Sequence, residues 1–499
     1  MAKPYHIIFF FLGLIQCASA QDTYTVFPEI AEIPTTPTGE NASSDYRFIW
    51  RMPKEIETGA IEYLPNGYHQ LILNEHQHHT IPVISLVVDS ADLFSDDRGI
   101  FVPGIQFNAE NPVYSGNYQQ RGPDWERTAS LTLQYGNDVA FQTTCGLRTH
   151  GLLARSCPQK SLRLCAREEL DHHGLEGLIL KEAAFAKYLI IRSPYSSHAN
   201  NILADALIHV AVGNSTLLTP LPYAPVACYV NGVYWGLYNV RPRPDETYYA
   251  HAEGVPVEAI TMDEQYKDSV LNTMLTAIES QSPGLDALSQ WLDLDCFTDY
   301  MLVESFFRNL DWAGNNNVQF YRVQNGPLKM ALIDLDATFQ VETENVFDHI
   351  RRQDQVIHAI WSYLLTLPEY RGQVASRYAE LRTSSFHPEH LTQLLDSMAG
   401  IIENEIPRQC DRWNYPIDPY AWRSALYDTQ KFILNRPHYY EEQLSAELID
   451  QDILLSPIVS TTSLTIQHAL HSKWFHLGLI VLFTLLLYLV SRSRFFKRT

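Results

Sequence analysis

Several short signatures that assign chemistry from sequence are missing from this chain. No C-x-x-C pair occurs, so a structural zinc framework is not suggested. A G-x-S-x-G nucleophile elbow is absent, which removes the usual serine-hydrolase reading. No Gly-rich phosphate loop precedes Lys160, and no internal repeat is visible. Basic residues are scarce, with 36 Lys and Arg against 57 Asp and Glu and a formal charge of −21. Five of those cations (Lys3, Arg492, Arg494, Lys497, Arg498) sit in the two terminal segments, so the body between them is more acidic still. A nucleic-acid partner is therefore excluded, because phosphate binding needs a positive footprint.

Long apolar runs occur only at the two ends. Residues 1–20 carry one early Lys, an apolar run from Ile7 to Ile15, and Ala18 and Ala20 before Gln21. This is the pattern of a secretory signal peptide. Trp474 to Val490 is almost wholly apolar and is followed by R-S-R-F-F-K-R-T. It reads as one transmembrane helix (474–491) with a basic cytosolic tail (492–499). The expected product is an exported, single-pass membrane protein with its main domain on the extracytoplasmic side. Six cysteines remain after the leader, and Cys145, Cys157 and Cys165 fall in one apparent hairpin where local pairing is possible.

Hydrophobic residues make up 46% and aromatics 12% of the chain, enough for a substantial core. Residues 21–80, rich in Pro, Thr, Glu and His, read as a loosely structured lead-in. The pattern then predicts strands near 81–88, 129–135, 146–149, 161–165 and 188–192, and a helix over 203–212. A hairpin is predicted from Val226–Val230 and Val233–Val240, turning at Asn231-Gly232. Apolar stripes from 295 onward predict a mainly helical second half, and 446–473 reads as a stalk. His76, His78, His79 and His172-His173 are candidate metal clusters, but no matching second set accompanies them.

The densest chemistry lies in N-L-D-W-A-G-N-N-N-V (309–318) and K-M-A-L-I-D-L-D-A-T-F (329–339). Asp311 stands five residues before Asn316, and an apolar run from Met330 to Ile333 delivers Asp334 and Asp336. Phosphoryl transfer uses this order of parts: an aspartate at the acceptor hydroxyl, an asparagine on metal, and an aspartate on metal after a short strand. Taken alone, the same residues fit a polar hairpin turn, since Asn and Asp favour turns.

Further segments narrow the choice: I-P-V-I-S-L-V-V-D-S-A-D-L-F (81–94), G-L-R-T-H-G (146–151), P-Q-K-S-L-R-L (158–164), Y-V-N-G-V-Y-W-G-L-Y-N-V-R (229–241), D-W-A-G-N-N-N-V (311–318) and I-D-L-D-A-T-F (333–339). Together they resemble the CotH kinase family over about residues 81–440. The resemblance implies an α+β fold: a bilobal, atypical protein-kinase-like domain (81–445) with a β-rich first lobe and a helical second lobe. It implies Mg²⁺ and ATP as cofactors and a protein substrate or surface partner. By matching position, Asp311 is the catalytic-loop aspartate, Asn316, Asp334 and Asp336 are the metal side, and Lys160 and Arg148 are candidates for phosphate contact. Two departures stand out. Pro242 occupies a place where the family carries an acid, and S-S-H-A-N-N (196–201) replaces an acidic, Arg-Asn-type helix start.

Overall fold

The computed structural model describes residues 58–449, apart from 172–173, 176–185, 195–200, 265–268, 313–316 and 354. The leader, the apolar run 474–491 and the basic tail lie outside the described residues. Among the described residues, no helix is long and apolar enough to cross a membrane.

The first half is a closed β-barrel. Strands β1 (Ala60–Tyr63) and β2 (His69–Ile72) form a separate hairpin. Then β3 (Val83–Val88), β4 (Arg127–Tyr135), β5 (Asp138–His150), β6 (Ser161–Cys165), β7 (Tyr188–Arg192), β8 (Pro225–Val230) and β9 (Val233–Pro242) close in the order β3-β4-β5-β6-β7-β9-β8. The closing contact, β3 on β8, is parallel. Closure removes the free edges that an open sheet would expose. Alternation sets the faces: Leu147, Leu162, Leu164, Leu189, Ile191 and Val240 fill the barrel core, so the residues between them point outward. Asn231 and Gly232 both have positive φ (50° and 80°), as a two-residue hairpin turn of this hand requires.

The hairpin β1–β2 lies within the stretch that composition alone reads as loose. It is held because its polar residues find partners. The buried ring of His69 meets Ser130 Oγ at 2.9 Å and Ser85 Oγ at 3.0 Å. Likewise His79 is no surface metal ligand but a buried clamp, with Nδ1 2.8 Å from Glu405 and Nε2 2.9 Å from the Tyr229 hydroxyl. All six cysteines are free thiols. Register explains why the nearest pair stays open: Cys165 faces Gly146, so Cys145 falls on the opposite side of the strand.

The second half is helical around a small sheet. Helix α1 (Ala204–Val212) follows β7, α2 (Glu246–Glu253) follows β9, and α3 (Ser269–Gln281) and α4 (Leu294–Phe306) come next. Between and beyond them β10 (Ile260–Glu264), β11 (Gln319–Val323) and β12 (Lys329–Ala331) form an antiparallel sheet. Helices α5 (Val346–Gln353), α6 (Gln355–Thr366), α7 (Pro368–Arg382), α8 (Pro388–Ile402), α9 (Ile406–Trp413) and α10 (Pro419–Ile449) complete the chain, α10 running past the expected boundary at 445. Their core joins Phe297, Phe306, Phe307, Trp361 and Tyr440 to α1 residues such as Leu207 and Ile208. At the junction, Trp413 Nε1 donates to Trp235 O at 2.6 Å, so α9 is pinned directly onto β9.

Candidate active site

Strand β12 ends at Ala331, earlier than the apolar run suggests, and Asp334 adopts a left-handed conformation (φ 55°). The D-x-D therefore lies beyond the strand and runs into a turn at Asp336. Its two carboxylates converge nonetheless, because one guanidinium gathers them. Arg192, at the end of β7, donates from Nη2 to Asp334 Oδ1 at 2.9 Å and also to Asp336. The same nitrogen lies 3.9 Å from Asp205 Oδ1 on α1.

Asp205 is the second anchor. Its Oδ2 accepts from Arg241 of β9, and its Oδ1 accepts from the backbone N–H of Leu335 at 3.2 Å, inside the D-x-D. Burial would raise the Asp205 carboxyl, but Arg241 and then Arg192 hold it well below the usual range. Asp205 thus carries a buried carboxylate into the cluster just beyond the stretch 196–201, where the acidic position of the resemblance was missing. Burial would also lower Arg192, yet Asp336, Asp205 and Asp334 together hold it well above its ordinary value. Asp336 is raised, first by burial, against the pull of Arg192.

The loop after α4 is tied to the same turn by Asn309. Its side-chain oxygen accepts from Asp311 N at 3.2 Å, while its Nδ2 donates to Asp334 O at 3.3 Å and to Glu304 Oε2 at 2.9 Å. Glu304 is fully buried on α4, and burial pushes its carboxyl up to about 8. Asp311 is half-buried, its carboxyl pushed up to about 7 by burial, then by the charges of Asp334 and Asp336. Those charge effects place Asp311 within electrostatic reach of the D-x-D. Asn316 lies outside the described residues.

The two candidate phosphate-contact residues have partners of their own, and Lys160 O accepts from Tyr238, a residue of the cleft described below. Lys160 is buried in the barrel wall, its Nζ donating to Cys157 O at 2.9 Å and lying 4.4 Å from the Tyr118 ring centre. Burial pushes its ammonium down to about 7. Arg148 donates from Nε to Glu126 at 2.8 Å, a carboxylate it shares with Arg167. The cations at the D-x-D are Arg192 and, through Asp205, Arg241. Sequence reasoning passed over both as ordinary strand residues. Their one available signal was an arginine in an outward-facing register on a strand that is otherwise apolar.

A narrow cleft opens beside the cluster, with Arg192, Asp205 and Asp336 on its polar side and Tyr223, Leu237 and Ile402 on its apolar side. Apolar walls with a few convergent polar groups are the kind of lining that small-molecule sites use. Among the described residues no three His, Cys, Asp or Glu side chains converge to cage a metal. Two neighbouring carboxylates are enough for Mg²⁺, which keeps several waters and takes its remaining oxygens from phosphates. The donor set is all oxygen, and the pair already seeks a cation in the form of Arg192. The residues therefore fit a phosphate-bound hard ion.

Fold and site define an α+β protein with a barrel-built first half, a helical second half and a carboxylate-rich cleft between them. The CotH kinase protein family model matches residues 147–263 and 257–440, more than half of the chain, and the chain belongs to that kinase-like family. No curated protein matches it. Family membership points to ATP and metal use in general terms.

Proposed function

We propose that this is an exported, membrane-anchored phosphotransferase that moves the γ-phosphoryl of Mg-ATP to a Ser or Thr hydroxyl of a surface or envelope protein. The observation that carries this reading is Asp311 held beside the D-x-D, with its carboxyl raised to about 7. A base poised near neutrality is what abstraction of a hydroxyl proton asks for. In the reaction the hydroxyl oxygen forms a bond to phosphorus, the bond from phosphorus to the ADP oxygen breaks, and the hydroxyl proton passes to the Asp311 carboxylate. Asp334 and Asp336, with Asn316, would hold Mg²⁺, which supplies neutralisation of the phosphate charge when bound. Asn309 fixes the spacing between the base and the D-x-D. Asp205 holds the D-x-D turn from behind, through the Leu335 N–H.

A second reading, a kinase-like surface adhesin or recognition module without catalysis, is favoured by one observation. Arg192 already neutralises Asp334 and Asp336. Calorimetric titration of the chain with ATP, with and without Mg²⁺, separates the two. The enzyme reading expects metal-dependent binding that is lost in Asp334→Asn, whereas no binding at millimolar nucleotide favours the adhesin.

A further inference from the structure

Cations are scarce in this chain, yet several gather on one outward face of the barrel. Around the Tyr188 ring stand Arg163 Cζ at 5.7 Å, Arg167 Cζ at 5.8 Å, Lys187 Nζ at 5.7 Å and Arg243 Cζ at 5.9 Å. Arg148 on β5 faces Arg163 on β6 in register, where like charges directly opposed are unfavourable. Among the described residues, the carboxylates that pair with this group are Glu126, which takes Arg148 and Arg167, and Asp245, 3.6 Å from Arg243. Glu168 and Glu169, exposed beside Arg167, form no ion pair with it among the described residues. Arg163 hydrogen-bonds a ring nitrogen of His150 at 3.2 Å, and its Nε is buried without a hydrogen-bond partner among the described residues. His150 is accordingly pushed well below its usual range, first by burial and then by Arg163.

We propose that this face is the docking surface for an acidic segment of the acceptor polypeptide. The inference rests on the phosphotransfer reading for its purpose, and on the cation cluster for its chemistry. Tyr188 and Arg192 share the outward register of β7, with Ile190 buried between them, and Arg192 is the residue that gathers the D-x-D. The rise of about 3.3 Å per residue puts the Tyr188 cluster roughly 13 Å from that point along the strand. An extended peptide covers this distance in about four residues. A Ser or Thr presented at the D-x-D would thus carry its Asp or Glu at least about four positions away, near Tyr188. Nucleotide phosphates, which must reach the D-x-D, lie at the other end of the strip. Four cations around one aromatic ring make a local exception to the field of a chain with net charge −21, so recognition here is short-range and does not steer from a distance.

The test uses the purified full chain and fluorescence anisotropy, without nucleotide or metal. The probes are a Ser-containing decapeptide with a Glu run about four residues from the Ser, and its Gln counterpart. The Glu peptide is expected to bind about tenfold more tightly, and added salt is expected to remove the difference. In Lys187→Gln/Arg243→Gln, both on the accessible rim, affinity for the Glu peptide is expected to fall roughly five- to tenfold, with an unchanged melting temperature. Equal affinity for the two peptides, or no effect of the double variant, overturns the proposal. So does displacement of the peptide by tripolyphosphate at equimolar concentration, which would make this a nucleotide-phosphate subsite. Asp334→Asn keeps the two ideas apart. Peptide binding that survives in a chain with no transfer activity in wild type or variant removes the enzyme reading and leaves the docking surface standing.

Discussion

Replacing Asp311 by asparagine changes a titrating carboxyl into a neutral amide of nearly the same shape, so its consequences can be worked out with their sign. In the folded chain the carboxyl is raised to about 7, by burial first and then by Asp334 and Asp336. In the unfolded chain it titrates at about 3.9. Between those values the folded state holds a proton that the unfolded state has released. Stability is therefore lost progressively as pH rises from about 4 to about 7, and is flat above that. Each unit is worth about 1.4 kcal/mol, and the interval from pH 5 to pH 7 alone gives a ceiling of about 3 kcal/mol. Asp311 is only half-buried, so screening by water brings the expected figure to about 1–2 kcal/mol. The amide of the variant has no such titration, while Glu304 and Asp336 titrate in both proteins and leave the difference to first order. Thermal melts of wild type and Asp311→Asn at pH 5, 6, 7 and 8 should show the variant gaining on the wild type up to pH 7 and then holding a constant lead. Transfer activity should move the opposite way, falling about 10²–10⁴-fold in the variant, while wild-type activity rises with pH through about 7. A stability offset independent of pH, or a variant less stable than wild type at pH 8, would refute the placement of Asp311 beside the D-x-D.

Other perturbations probe the supports. Asn309→Ala removes the bridge between Asp311 and Asp334 and leaves the buried Glu304 without its donor, so denaturant unfolding should show a loss of about 1–3 kcal/mol. Arg241→Gln strands the carboxylate of Asp205 in the interior and is expected to cost about 3–5 kcal/mol; the double variant with Asp205→Asn should recover much of that loss. For Arg192→Gln, which frees the D-x-D pair from its internal cation, calorimetry should show Mg²⁺ binding strengthened about tenfold, and unchanged affinity would mean that Arg192 does not compete for the pair. Topology is checked by protease added to intact cells: the bulk of the chain should be removed if Trp474–Val490 spans the membrane with the basic tail inside, and full protection in cells with a single membrane would contradict it.

Much of the barrel was legible because its strands are short, apolar and bounded by turn residues. Ser161–Cys165 and Tyr188–Arg192 appear in the structure as read from pattern alone, and the Asn231-Gly232 hairpin formed where its turn chemistry put it. Closure of the sheet was not legible, since parallel pairing of β3 with β8 is a contact between segments about 140 residues apart that leaves no local mark. The β1–β2 hairpin within the lead-in was not legible because composition weighs polar residues as solvent-seeking, while His69 and His79 are buried with partners. At the candidate site, motif order singles out Asp311, Asp334 and Asp336 as candidates. It does not single out their supports. Asp205, Glu304 and Arg192 matter through partners that only the fold brings near, and burial, the main cause of the shifts at Asp311 and Glu304, has no signature in sequence. Burial is equally invisible at Lys160, whose ammonium lies over the Tyr118 ring.

The central claim is that Asp311 and the D-x-D form one phosphotransfer site. Its most direct test is single-turnover transfer of labelled γ-phosphate from Mg-ATP to a Ser/Thr peptide pool by wild type, Asp311→Asn and Asp334→Asn, with melts confirming that all three are folded. The account expects metal-dependent transfer by the wild type, slowed about 10²–10⁴-fold in Asp311→Asn and abolished in Asp334→Asn. Absence of transfer by a folded, nucleotide-bound wild type, or equal rates in the three proteins, would contradict it.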